Sequence, residues 1–220
     1  MSPVTFTFLA AATIVGGLAV VVLAVRLLQC FLPSQTRLLA GSFLLIYGVV
    51  LVLRLSAWPI TDLAVLTGAV GGVLLFQGGL QTPRAVAVFL GVAAIVDVLS
   101  MSGGLSRLLI ERYRASGGGL LQYLTLAIPI RGHAVSIVGI GDLLVGGAAA
   151  TALLRLKLRP VPIMGTFAIG LLAALAYGLW RGRGAPALPF IAVVVFVLVW
   201  RHSVRASRQP TSGVVPPGDP

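Results

Sequence analysis

The sequence predicts an all-α membrane protein, a polytopic bundle of about seven transmembrane helices. Three observations lead there. Of 220 residues, 58% are hydrophobic and only 10% charged, whereas a soluble domain carries roughly a quarter charged residues. Mean hydropathy is +1.07. Seven apolar runs follow one another, each bounded by Arg, Pro or Gly, and about 20 such residues cross the ~30 Å hydrocarbon core of a bilayer.

The net charge of +11 comes from 16 Lys+Arg against 5 Asp+Glu, a balance that in a soluble chain would point to nucleic acid. Here the basic residues stand in the gaps between apolar runs. They read as membrane-flank anchors and topology signals, the lipid bilayer is the expected partner, and no nucleic-acid partner is expected. Cys30 is the single cysteine, so an intrachain disulfide or a Cys-based metal site cannot form. His133 and His202 fall at membrane edges and make no ligand cluster. No metal is expected.

The first run, residues 6–28, is not preceded by a basic n-region and is long enough to span, so it reads as a retained helix. The second, 38–53, stops at Arg54, and Trp58-Pro59 marks an interface and a break. The third, 60–76, carries Asp62 at its start, where the helix dipole favours a carboxylate. The fourth, 85–102, follows Pro83-Arg84 and contains Asp97. A long connection, about 103–132, holds a basic amphipathic piece at 105–114 suited to the membrane surface. A flexible Ser116-Gly117-Gly118-Gly119 and an apolar piece at 120–130 complete it.

The fifth run, 134–154, contains Gly139-Ile140-Gly141-Asp142, and the sixth covers 161–180. The seventh, 185–200, begins Ala185-Pro186-Ala187-Leu188-Pro189. Residues 1–202 thus read as one membrane unit, and the polar, Pro/Gly-rich 203–220 as a disordered tail. Seven spans put the termini on opposite sides. With seven basic residues on one side and nine on the other, the positive-inside rule places the C-terminus of this multi-pass protein in the cytoplasm, as for a cell-membrane protein.

Asp97 and Asp142 are the two acidic residues well inside apolar runs. A carboxylate near a bilayer centre costs at least ~2.5–3.5 kcal/mol on insertion scales, which marks both as functional candidates. From the run boundaries, Asp97 lies roughly 7–8 Å and Asp142 roughly 12 Å below the same membrane face, at 1.5 Å per helical residue. Two carboxylates at one depth on antiparallel neighbours can share a proton and work as an acid–base pair on water and a carbonyl. Gly139 and Gly141 permit close backbone approach beside Asp142, although glycines are also ordinary helix-packing residues in membranes. Pro186-Ala187-Leu188 starts from the same face, where a proline in a first turn is common helix-start chemistry.

An Asp in one helix, Gly-x-Gly-Asp in the next and Pro-Ala-Leu opening the last together resemble the presenilin and signal peptide peptidase family of intramembrane aspartyl proteases. The parts are Asp97, Gly139-Ile140-Gly141-Asp142 and Pro186-Ala187-Leu188, in family order. The stretch GIGDLLVGGAAATALLRL, 139–156, is closer to the signal peptide peptidase branch. The likeness covers about 85–200, and the first three helices match only in being hydrophobic. It implies a presenilin-type fold lacking its first two helices, a catalytic dyad of Asp97 and Asp142, a site shaped by Gly139 and Gly141, and substrate placement by Pro186, Ala187 and Leu188. Substrates would be transmembrane peptides or proteins, signal-peptide remnants among them, and the dyad would need no cofactor beyond water. One departure is Val96, where the family often has Tyr before the first Asp. Type IV prepilin peptidases share Gly-x-Gly-Asp but lack Pro-Ala-Leu. The alternative is a small transporter relaying protons or cations through the same two aspartates; the inverted repeats usual in transporters are not visible. A non-catalytic scaffold, with the two Asp only cross-linking helices, is a third reading.

Overall fold

The structure, a computed structural model, describes residues 3–55, 57–104, 108–109, 111–112, 120–130, 133–181 and 185–207. Seven long helices account for most of them: α1 (Pro3–Phe31), α2 (Thr36–Val52), α3 (Trp58–Phe76), α4 (Pro83–Gly103), α5 (Ile140–Arg155), α6 (Pro160–Arg181) and α7 (Leu188–Ser207). α1, α2, α3, α4 and α6 each supply a segment long and apolar enough to cross a membrane. The chain is a predominantly helical protein with the features of a multi-pass membrane protein. Its outer faces carry large apolar residues such as Phe8, Leu45, Val88 and Val161, each at least 66% exposed, as a lipid-facing surface requires.

Three expectations are corrected. The fifth helix begins at Ile140 rather than near residue 134, because the residues before it form strand β2 (His133–Gly139), antiparallel to β1 (Thr125–Ile130). The fold is therefore not purely α. Val135, Ile137 and Val138 are β-branched and suit a strand, and pairing with the apolar 125–130 satisfies backbone groups that would otherwise need a helix. Residues 203–207 belong to α7 and not to a disordered tail; the rest of that tail lies outside the described residues. Asp62 stands in the second turn of α3, not its first, and its carboxylate accepts the Ala127 amide of β1 at 3.0 Å. Most of the expected amphipathic piece at 105–114 and all of residues 116–119 also lie outside the described residues.

α5 is the centre of the bundle. Every residue from 146 to 153 is buried, and they are Gly, Ala, one Thr and one Leu. A Cβ on Gly147 would come within 3.0 Å of both Val21 Cγ1 of α1 and Val73 Cγ2 of α3, so small residues let neighbouring helices close on α5 from several sides. α4 is peripheral, with Val88, Val92, Ile95, Val96 and Leu99 all more than half exposed. It touches α5 and α7, and α6 packs along α7. A Cβ on Gly170 of α6 would lie 2.8 Å from Ile191 Cα, so this glycine sets how near the first turn of α7 can come.

Candidate active site

The site forms where the start of α5, the start of α7 and the last third of α4 meet. Gly139 closes β2 in an extended conformation (φ −73°, ψ 149°) and is the N-cap of α5, which makes Asp142 the third residue of that helix. From there a carboxylate can turn back to the capping residue, as in a capping box. The Gly139 amide faces the Asp142 carboxylate, and a Cβ on Gly139 would sit 3.4 Å from Oδ2. That is ordinary contact, so glycine here leaves clearance beside the carboxylate. Gly141 is exposed, with nothing within 4 Å of a Cβ built on it, and leaves open space on the other side.

Asp97 is half-buried on α4. Its Oδ2 accepts the Leu188 amide at 3.0 Å, and the Ala187 amide also faces the carboxylate. The first amides of a helix have no partner within it and attract negative charge. Asp97 therefore caps α7 from a helix 91 residues away in sequence. Leu188 is 5% exposed, so water has little access to its amide and the bond fixes the α4–α7 junction. Asp97 is also the charged group that acts electrostatically on Asp142. Asp97, Asp142 and Leu188 are thus brought to one place, with Gly139 beside them and Ala187 in contact with Asp97. Pro186 is half-buried just ahead of the helix, and no contact of its own ties it to the carboxylates.

Asp142 is half-buried and lines a narrow apolar cleft with Ile14, Leu18, Leu143, Phe167 and Ile191. A second groove of about 280 Å³ runs between α4 and α7, from Ala87 and Gly91 to Ala192 and Val199, and carries no titratable group. Val96 is 58% exposed, so the position before Asp97 points outward and not at the second carboxylate. Among the described residues, no three His, Cys, Asp or Glu side chains cluster as metal ligands would.

The supporting roles of two residues escape a reading of the sequence. Asp62 holds β1 to α3, and Tyr47 of α2 donates its hydroxyl to the Tyr123 carbonyl at 3.0 Å, just ahead of the same strand. Their partners are 65 and 76 residues away, and no local pattern signals such a pairing. No family of known proteins, no curated protein and no solved structure matches the chain.

Proposed function

We propose that the protein is an intramembrane aspartyl protease of the presenilin and signal peptide peptidase type, hydrolysing peptide bonds in transmembrane segments. The carrying observation is the 3.0 Å bond from the Leu188 amide to Asp97, which ties the Pro-Ala-Leu segment to the first aspartate within electrostatic reach of Asp142. In this reading all seven long helices span or enter the bilayer, and the C-terminus is cytoplasmic. Asp97 and Asp142 share a proton. One carboxylate takes a proton from water as it attacks the scissile carbonyl, and the other donates one to the carbonyl oxygen, giving a neutral tetrahedral diol. Return of a proton to the amide nitrogen then breaks the C–N bond.

A helical substrate must unwind before its carbonyl can be attacked, since each helical carbonyl is already hydrogen-bonded. The hairpin supports that step. On β1 the outward amide of Ala127 is held by Asp62, and Pro129, two residues on, has no amide hydrogen. The outer edge of β2 is the one suited to an extended substrate, and β2 runs directly into Gly139 and the helix of Asp142. Peripheral α4 leaves Asp97 approachable from the lipid.

The test offers the purified protein a labelled synthetic transmembrane peptide, comparing wild type with Asp97→Ala and Asp142→Ala. Cleavage by wild type, loss in both variants and block by a hydroxyl-bearing transition-state mimic would support the proposal. Cleavage surviving either substitution sinks it, and ion flux in liposomes without cleavage would favour the transporter.

A further inference from the structure

The end of the bundle opposite the dyad carries a second polar cluster that proteolysis does not use. α1, α3, α5 and α7 finish there and α2, α4 and α6 begin there, and among the described residues no Asp or Glu lies on that face. At its centre is Gln77, 5% exposed at the end of α3. Its Oε1 accepts from Gln29 Nε2 of α1 and, at 3.0 Å, from Arg155 Nη2 of α5; its carbonyl accepts Arg155 Nη1 at 3.4 Å. These bonds hold the Arg155 guanidinium in a fixed orientation. Arg26, one turn back from Gln29, is the charged group that acts on it. The Arg155 guanidinium is therefore fixed beside the turn of α1 that carries the exposed Arg26, on a face where the described residues include no carboxylate side chain.

A guanidinium has five N–H donors in a rigid fork, and the bonds to Gln77 use two of them on Arg155. The remaining donors suit the oxygens of a phosphate. The surroundings say which phosphate. Leu23 and Leu27 flank Arg26 on α1, Leu75 and Phe76 precede Gln77 on α3, and all four are 47–60% exposed. An anion here would stand above exposed apolar surface, which fits a ligand with a charged head and acyl chains.

We propose that Arg155, oriented by Gln77, and the neighbouring Arg26 form a binding site for the phosphate headgroup of an anionic phospholipid. The site rests on the membrane reading but not on the catalytic one. Basic pockets between membrane helices take anionic headgroups in this way, and each Lys or Arg near an anionic surface is worth ~1 kcal/mol, or about five-fold in affinity.

The test uses the full chain in neutral detergent, with bound lipid counted by native mass spectrometry during titration with phosphatidylglycerol, phosphatidylcholine or inorganic phosphate. Expected is saturable binding of one phosphatidylglycerol, weakened about five-fold by Arg26→Gln and by Arg155→Gln, and unchanged in Arg37→Gln, which removes the same charge from the same face. Asp142→Asn should bind like wild type. Arg26→Gln leaves the Gln77 bonds intact and keeps the test valid if Arg155→Gln misfolds. Equal weakening by Arg37→Gln would mean diffuse surface charge and overturn the site, as would equal binding of phosphatidylcholine. Competition by millimolar inorganic phosphate would assign the cluster to a free anion and overturn the lipid assignment.

Discussion

Removing the Asp97 carboxylate should loosen the bundle as well as stop chemistry, and the two effects can be separated. Asp97→Ala takes the acceptor from the Leu188 amide, which is buried with its residue at 5% exposure. A lost helix cap costs about 0.5–2 kcal/mol, and leaving a buried donor unmatched about 1–3 kcal/mol. These describe one bond and are not added, so the expected destabilisation is about 1–3 kcal/mol. Asp97→Asn keeps an oxygen at the same position and loses only the strengthening that charge gives a hydrogen bond, roughly half its worth. Alanine should therefore be the less stable variant by about 1 kcal/mol, while both substitutions are expected to abolish cleavage. Reversible unfolding in mixed micelles measures the difference, and hydrogen exchange at the Leu188 amide localises it. Exchange should accelerate in Asp97→Ala and stay slow in Asp97→Asn. Equal stability, with Leu188 protection unchanged by alanine, would refute the cap and remove the contact that ties Pro-Ala-Leu to Asp97.

Three other substitutions probe the scaffold. Gly170→Ala forces a methyl toward Ile191 Cα, 2.8 Å away, and should cost about 1–3 kcal/mol while weakening cleavage through displacement of the α7 start; thermal unfolding and turnover report each effect. Gly141→Ala meets open space and should raise stability by about 0.5–1 kcal/mol, as Gly→Ala does in a helix. Gly141→Leu fills that space and should lower cleavage about 10–100-fold with helix content by circular dichroism unchanged. Asp62→Ala removes an acceptor of the Ala127 amide, so exchange at Ala127 should quicken while Leu188 stays protected.

Much of this architecture was legible in the chain. The limits of α1, α2, α3, α4 and α6 follow from apolar length and from Arg, Pro and Gly breakers, all local properties. The meeting of Asp97 with residues 187–188 and Asp142 was legible from helix order, since alternating spans return the relevant ends to one face. The hairpin was not. Residues 134–139 are as apolar as the helix that follows, and hydropathy does not distinguish strand from helix within one continuous run. What decides is pairing with 125–130, a partner supplied by tertiary structure. Gly170 was equally hidden, because its role depends on which backbone crosses it, and Gly147 could be read only as a generic packing glycine. Asp62 looked like a dipole-stabilised helix start and instead anchors a strand 65 residues away.

The central claim is that Asp97 and Asp142 together activate water against a peptide bond. The most direct test is the single-turnover cleavage rate of a transmembrane peptide by Asp142→Asn reconstituted in vesicles. Asparagine preserves size and polarity beside Gly139 while removing proton transfer, which contributes about 10²–10⁴-fold to rate. The account predicts a loss of at least about a hundredfold, with unfolding behaviour close to wild type. A rate within two-fold of wild type would contradict it, because a carboxylate that can be replaced without loss is not half of a catalytic pair.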